Sequence, residues 1–390
     1  MSDDISPQER KLLDWLAAQS EAMQSLLETL VNIDSGSYNK AGVDRVAAAI
    51  CGFFDDHGIR YDVIVNERFG NAIRATVGPP GDRNILLMGH RDTVYPDGEA
   101  GRRPFRSDGL RGFGPGVADM KAGLVMNCFV IAALHKFSAA PAPVIGLFTA
   151  DEEIGSPSSR AVIEQEARGA RMVLNAEPGR PENSVVTGRK AGIFMRFEVA
   201  GKAAHAGANF EQGASAIVEL AHKIVALHAL TDLSKGITVN VGVVSGGQTV
   251  NTVAPSARAE IDLRTIAPDD RGPILEKIKA IMAHSTISGT SASLEIYAEF
   301  LPLVQTAESM RLFELYADCG RALGAKIAGI FTGGCSDAGF SASVGAPTIC
   351  AVGPIGARTH SPDEYVELGS IVPRAQILAL TVMRSSERFL

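Results

Sequence analysis

Two hydrophobic rhythms run along this chain of 390 residues, and the second interrupts the first. The first alternates strand-like and helical runs. Strands are predicted at 60–65, 71–77, 84–89, 143–149 and 171–176, with helices at 12–31, 43–54, 121–137 and 158–166. This alternation argues for an α/β domain with a largely parallel sheet. Between Thr187 and Phe300 the order becomes strand 192–199, helix 214–227, strands 237–245 and 257–264, helix 273–283 and strand 293–299. That β-α-β-β-α-β order is the ferredoxin-like signature. The first rhythm then resumes with helix 309–323, strand 347–352 and helix 372–386. The expected fold is therefore α/β in two domains. An α/β domain made of residues 1–186 and 301–390 is interrupted by an α+β domain at 187–300.

Composition removes several classes of function. Hydrophobic residues make up 46% of the chain and charged residues 21%, enough apolar surface to build a core of this size. No apolar run is expected to reach the roughly 18–20 residues that span a bilayer. Lys and Arg total 37 against 44 Asp and Glu, and a net charge of −7 argues against nucleic acid as a partner. Cys51, Cys128, Cys319, Cys335 and Cys350 are scattered and form no CxxC pair. A disulfide framework and a cysteine-held zinc are both disfavoured, and a reducing compartment is the simpler expectation. The chain opens on an amphipathic helix without a basic segment leading an apolar one, so a cytoplasmic location is expected.

Acids and histidines gather after the predicted strands. His90-Arg91-Asp92 follows one strand, Asp151-Glu152-Glu153 a second and Glu177-Pro178 a third, and His360 lies in the loop after a fourth. Open α/β sheets bind ligands outside the carboxyl ends of their strands. Each piece alone has an ordinary reading. The acidic triplet suits a solvated helix start, and His90-Arg91-Asp92 mimics a kinase loop but lacks that family's companion motifs. The Gly112–Gly116 run is a poor phosphate cradle, because Pro115 has no N–H to donate; a tight turn presenting Asp119 is the better account. Taken together, the pieces suit a two-metal hydrolase. Such a site needs a bridging carboxylate, terminal nitrogen and oxygen ligands, and one unligated carboxylate as base. His90, His360, Asp119, Glu153 and Glu177 are the candidate ligands, with Glu152 beside them. Asp92 is spaced to accept the other imidazole N–H of His90. Imidazole with carboxylate suits zinc, with cobalt or manganese as alternatives.

These segments carry a family resemblance. His90-Arg91-Asp92-Thr93-Val94, Gly114 to Lys121, Asp151 to Ser156, Glu177-Pro178 and His360-Ser361 resemble the M20 metallopeptidases, and within them the glutamate carboxypeptidase (carboxypeptidase G2-like) branch. Gly201 to Gly207 and Thr332 to Ala338 add to the likeness. The resemblance implies a zinc-dependent exopeptidase-like α/β catalytic domain with an inserted lid through which two chains dimerise. It implies that Asp119 bridges two zinc ions per subunit, His90 and Glu177 completing one and Glu153 and His360 the other. It makes Glu152 the general base and Asp92 the residue that orients His90. It also implies a cis peptide bond at Asp119-Met120. His205 would reach the partner's site and stabilise an oxyanion. Asn251 and Arg264 resemble lid positions that hold a substrate carboxylate; for Arg264 a strand-end salt bridge is the ordinary alternative. Arg189 and Lys190 are further anion contacts, and Gly356 offers a backbone contact. Leu301 stands where glutamate-cleaving members are expected to carry arginine before the proline, here Pro302. The expected activity is hydrolysis of an amide bond beside a free carboxylate, on a peptide or an N-acyl amino acid. An N-acyl-amino-acid deacylase is the first alternative and a non-catalytic metal-binding protein the second.

Overall fold

A computed structural model describes residues 5–387. The chain divides into two compact units. One holds the chain up to Gly188, Gln305–Thr332 and the chain from Phe340 onward; the other holds Arg189–Val304 with Gly333–Gly339.

The first unit is built on an eight-stranded sheet. From one edge to the other its strands are Arg60–Ile64, Ala72–Val77, Val144–Thr149, Ile85–His90, Met172–Asn175, Thr348–Cys350, Ser184–Arg189 and Ala328–Thr332. Every residue of Val144–Thr149, Ile85–His90 and Met172–Asn175 is buried, as expected for strands covered on both faces. Val144–Thr149, Ile85–His90, Met172–Asn175 and Thr348–Cys350 pair parallel. Arg60–Ile64 with Ala72–Val77, Ala72–Val77 with Val144–Thr149, and Thr348–Cys350 with Ser184–Arg189 pair antiparallel, so the sheet is mixed rather than largely parallel. The seven residues between Ile64 and Ala72 are too few for a crossover and force one such pair. Ser184–Arg189 and Ala328–Thr332 were not expected as strands.

Ile85–His90 is the switch point of this sheet. The chain leaves it through helix Ala122–Lys136 to reach Val144–Thr149 on one side, then passes through helix Ser159–Ala167 to Met172–Asn175 on the other. Loops diverging from such a strand leave a crevice at its carboxyl end. The Ala122–Lys136 helix is buried from Ala122 through Leu134 and forms the middle of the core. With the turn before it, Val117–Lys136 reaches bilayer length with mean hydropathy 1.6, contrary to the sequence expectation, yet 94% of that window is buried inside the protein. The expected helix at 12–31 is two helices, Pro7–Ala17 and Ser20–Val31, the first opened by a Ser6–Glu9 capping box. A small antiparallel sheet orders Gly356–Ala357, Tyr365–Glu367, Arg111–Phe113 and Arg106–Ser107, so the expected glycine-rich loop begins as a strand.

The second unit is ferredoxin-like. Its strands run in the order Thr238–Gly246, Ser256–Thr265, Ala191–Ala200 and Ser291–Phe300, all antiparallel. Ile193, Met195, Phe197 and Val199 alternate into its core beneath helices Ala216–His228 and Arg271–Ala283. Gly333–Gly339 belongs here rather than with the returning α/β segment. Arg189 Nη1 donates to the carbonyls of Gly334 and Cys335 at 3.2 Å. A Cβ on Gly339 would meet the Leu301 carbonyl oxygen at 1.8 Å. Sequence spacing cannot show contacts between segments so far apart.

Candidate metal centre

The carboxyl ends of three central strands supply most of the site. His90 ends its strand, Glu152 and Glu153 form a short 3-10 turn (Glu152–Ile154) just beyond Thr149, and Glu177 lies two residues past Asn175. Glu152 is buried, so the acidic triplet is not a solvated helix start. Asp119 comes from the turn before the core helix. Gly116, at φ 72, opens that turn in the left-handed region. Asp119 then departs from helical geometry at φ −113 and ψ 90. The Asp119-Met120 bond is cis. Gly123 sets the helix start tight against the strand end, since a Cβ there would lie 2.0 Å from the Ala176 carbonyl oxygen.

Asp119 faces two histidines, one with each carboxylate oxygen. Oδ1 lies 3.3 Å from His90 Nε2, and Oδ2 lies 3.4 Å from His360 Nε2. His90 Nε2 is also 3.5 Å from Glu177 Oε1, and His360 Nε2 is 3.3 Å from Glu153 Oε2. Two donor groups result, His90–Asp119–Glu177 and Asp119–Glu153–His360. Nitrogen and oxygen ligands about 2.0–2.2 Å from a tetrahedral ion lie about 3.3–3.6 Å from each other. The observed separations match that spacing and exceed good hydrogen-bond lengths. Among the described residues, buried His90 Nε2 and Glu153 Oε1 have no hydrogen-bond partner. The donor set therefore fits a pair of divalent cations.

The electrostatics agree. Burial and the charge of Asp119 push the Glu153 carboxyl up to about 7. Asp119 and Glu153 hold His360 up to about 10. Burial alone would lower His90, but the facing carboxylates of Asp119, Asp92, Glu177 and Glu152 outweigh it and raise this imidazole well above its ordinary value. A surplus of negative charge surrounds the two rings, the condition a bound dication relieves.

Two supports lie behind the donors. Asp92 is fully buried, accepts from Ser37 Oγ at 2.6 Å and lies 3.4 Å from His90 Nδ1 through Oδ1. The nearer acceptor for His90 Nδ1 is the Asp92 backbone carbonyl at 3.0 Å. A proton on Nδ1 leaves the Nε2 lone pair aimed at the donor cluster. Glu152 Oε2 lies 4.0 Å from His90 Nε2, beside the first donor group but in neither group. Gly356 is buried in its short strand, and a Cβ there would meet Ala118 Cβ at 2.5 Å, so its glycine lets that strand approach the Asp119 turn. Sequence reasoning missed Ser37 and Glu364. Each is an isolated polar residue with no motif of its own, and only the position of Glu364 four residues beyond His360 hinted at a role.

Residues 86–384 match peptidase family M20/M25/M40. The chain belongs to this family. As an M20 hydrolase it is 28% identical over 392 residues to carboxypeptidase G2 of Pseudomonas sp. (strain RS-16), with 96% of this chain and 92% of that protein covered. It is 29% identical over 288 residues to acetylornithine deacetylase of Myxococcus xanthus, covering 66% of this chain and 71% of that one. Among solved structures, the M20 family metallo-carboxypeptidase Sso-CP2 of Sulfolobus solfataricus has the same fold. The TM-score is 0.80 at 16% identity, over 93% of this chain and 99% of that chain.

The remaining candidates of this M20 chain lie on the ferredoxin-like unit. His205 is exposed, and its Nδ1 accepts from the backbone N–H groups of Gly207 and Ala208 at 3.1 Å. Asn251 is brought beside it, its carbonyl accepting from Ala206 N at 2.9 Å. Arg264 makes the ordinary contact first, pairing Nε and Nη2 with Asp262 at 2.7 and 2.9 Å, while Nη1 faces Cys335 Sγ at 3.1 Å. Lys190 Nζ donates to the Gly236 carbonyl at 2.8 Å.

Proposed function

We propose that this M20 hydrolase holds two zinc ions and cleaves an amide bond adjacent to a free carboxylate, as a glutamate carboxypeptidase-like exopeptidase. The observation that carries the reading is Asp119, whose two oxygens each face a different histidine. In this reading His90 and Glu177 complete one ion, and Glu153 and His360 the other. When bound, the pair would polarise the scissile carbonyl and lower the pKa of attacking water, with cobalt or manganese able to replace zinc.

The chain's own residues supply the rest. Glu152 takes the proton of the attacking water and returns it to the leaving amine. Asp92 keeps His90 in the tautomer that presents Nε2. A cavity of about 440 Å³ beside Glu153, bordered by Tyr38, Val94 and Ile154, is sized for the acyl side of the substrate. Arg264 would bind the substrate carboxylate through Nη1 while Asp262 holds its other edge. Asn251, Lys190 and the backbone of Gly356 are the further substrate contacts. His205, supplied by a second copy of the chain, would stabilise the oxyanion. Support for the homodimer comes from the exposed Val243 and Val244 on an edge strand of the lid unit and from Ile217, Val218 and Val225 on the Ala216–His228 helix. A cytoplasmic location is supported by five free cysteines.

A second reading keeps the chemistry and changes the substrate to an N-acyl amino acid. The acetylornithine deacetylase relative, 29% identical over a shorter stretch of 288 residues, and Leu301 favour it. A panel of folate-like acyl glutamates, dipeptides and N-acetyl amino acids, run on zinc-loaded and metal-stripped protein, tests both. Metal-dependent cleavage of acyl glutamates supports the first reading, and preference for N-acetyl amino acids the second. A chain that binds two ions and cleaves no member would overturn both.

A further inference from the structure

Beneath the Asp119 turn lies a buried carboxylate that takes no part in either donor group. Glu364 is fully buried. Its Oε1 accepts from the backbone N–H groups of Ala118 at 2.8 Å and Asp119 at 2.9 Å, and its Oε2 from Gly116 N at 3.1 Å. Three N–H groups converging on one anion form a backbone nest. A turn that opens with Gly116 in the left-handed region cannot satisfy these donors within a regular helix. Glu364 satisfies them from 245 to 248 residues away in sequence.

The same carboxylate reaches the other side of the site through Tyr95. The Tyr95 hydroxyl lies 2.8 Å from Glu364 Oε2 and 2.8 Å from the carbonyl oxygen of Ser361, the residue after His360. Arg103 adds to this hold, donating from Nη1 to the Pro362 carbonyl at 2.7 Å with its guanidinium 4.9 Å over the Tyr95 ring. The loop needs holding. His360 and Arg358 have φ of 60 and 58, unfavourable for residues with a Cβ, and the His360 side chain is 54% exposed. Packing alone does not fix that ring.

We propose that Glu364 and Tyr95 are positioning residues that set the separation of Asp119 and His360, and so the affinity and geometry of the ion they share. This inference rests on the reading of Asp119 and His360 as ligands. Outer-shell partners of metal ligands typically contribute about 10- to 100-fold in metal affinity. In Glu364→Gln one acceptor oxygen remains, while the new amide NH₂ must face an N–H of the nest. Tyr95→Phe keeps the ring and removes only the hydroxyl link.

The experiment strips the full-length protein with a chelator and reloads it with Zn²⁺ or Co²⁺. Metal affinity is measured by competition with a fluorescent chelator, and ligand geometry by the visible spectrum of the cobalt form. Wild type should take up two ions. Glu364→Gln should bind one of them about 10- to 100-fold more weakly with an altered cobalt spectrum, and Tyr95→Phe should shift both readouts the same way by less. If Glu364→Gln does not fold, Tyr95→Phe decides. A merely structural role would lower the melting temperature of the metal-free variants and leave affinity and spectrum unchanged, which overturns the inference while the ligand reading stands. A wild type that takes up no ion pair overturns the ligand reading and this inference with it.

Discussion

Asp92 accepts the backbone N–H of Glu152 at 3.1 Å through Oδ1, the same oxygen that lies 3.4 Å from His90 Nδ1. Its other oxygen accepts from Glu153 N at 3.1 Å. One buried carboxylate thus ties the strand that ends in His90 to the turn carrying the proposed base and a proposed ligand. Replacing Asp92 by Asn leaves one good acceptor and turns an NH₂ toward an N–H donor. Asp92→Asn is expected to lower metal affinity and activity by about 10- to 100-fold with the fold retained. Metal content after dialysis against a weak chelator checks this; wild-type retention would remove Asp92 from the role.

The role proposed for Glu152 separates chemistry from metal binding. Its carboxylate lies 4.0 Å from His90 Nε2 and belongs to neither donor group. Glu152→Ala should keep two ions per chain and lose about 10²–10⁴-fold in rate, the usual worth of a positioned general base. A variant that keeps its rate rules out Glu152 as the base. One that loses metal makes it a ligand instead.

Protons and metal ions compete for the same cluster, which gives a pH signature. In the metal-free chain, His360 is raised to about 10 by Asp119 and Glu153, and Glu153 is raised to about 7 by burial and by Asp119. Both groups bind protons more tightly folded than unfolded, so metal-free stability from them falls as pH rises from about 4.5 through about 10. A bound ion replaces those protons. The difference in melting temperature between zinc-loaded and stripped protein should therefore widen from pH 6 to pH 9. Metal uptake at pH 7.5 should also release protons, read by calorimetry in buffers of different ionisation enthalpy. A difference independent of pH, with no proton release, would contradict the ligand assignment.

The shared-site proposal is open to complementation. Chains carrying Glu152→Ala and chains carrying His205→Ala should each be nearly inactive. Mixed and allowed to exchange subunits, they should regain part of the wild-type rate through hybrid dimers that hold one intact site. Exchange verified by mass, without recovered rate, would place His205 outside the neighbouring site.

The legible and illegible parts of this fold differ in their physical origin. Fully buried elements, such as Ile85–His90 and Ala122–Lys136, are readable within a residue or two, because burial on all sides leaves a continuous apolar run. Ser184–Arg189 and Ala328–Thr332 were not, since their pairing depends on neighbours far along the chain. His90, Glu153 and Glu177 were conspicuous as acids and histidines closing apolar strands. Ser37 and Glu364 act on another carboxylate, on backbone amides and on the distant Tyr95 hydroxyl, contacts that leave no pattern in a single sequence.

The donors of the candidate centre span the chain from residue 90 to residue 360, with the whole ferredoxin-like unit between Glu177 and His360. During synthesis, His90, Asp119 and Glu177 emerge from the ribosome well before His360 does. In the proposed centre the first donor group is complete in sequence by Glu177, whereas the second waits for His360 and the Asp119 turn for Glu364.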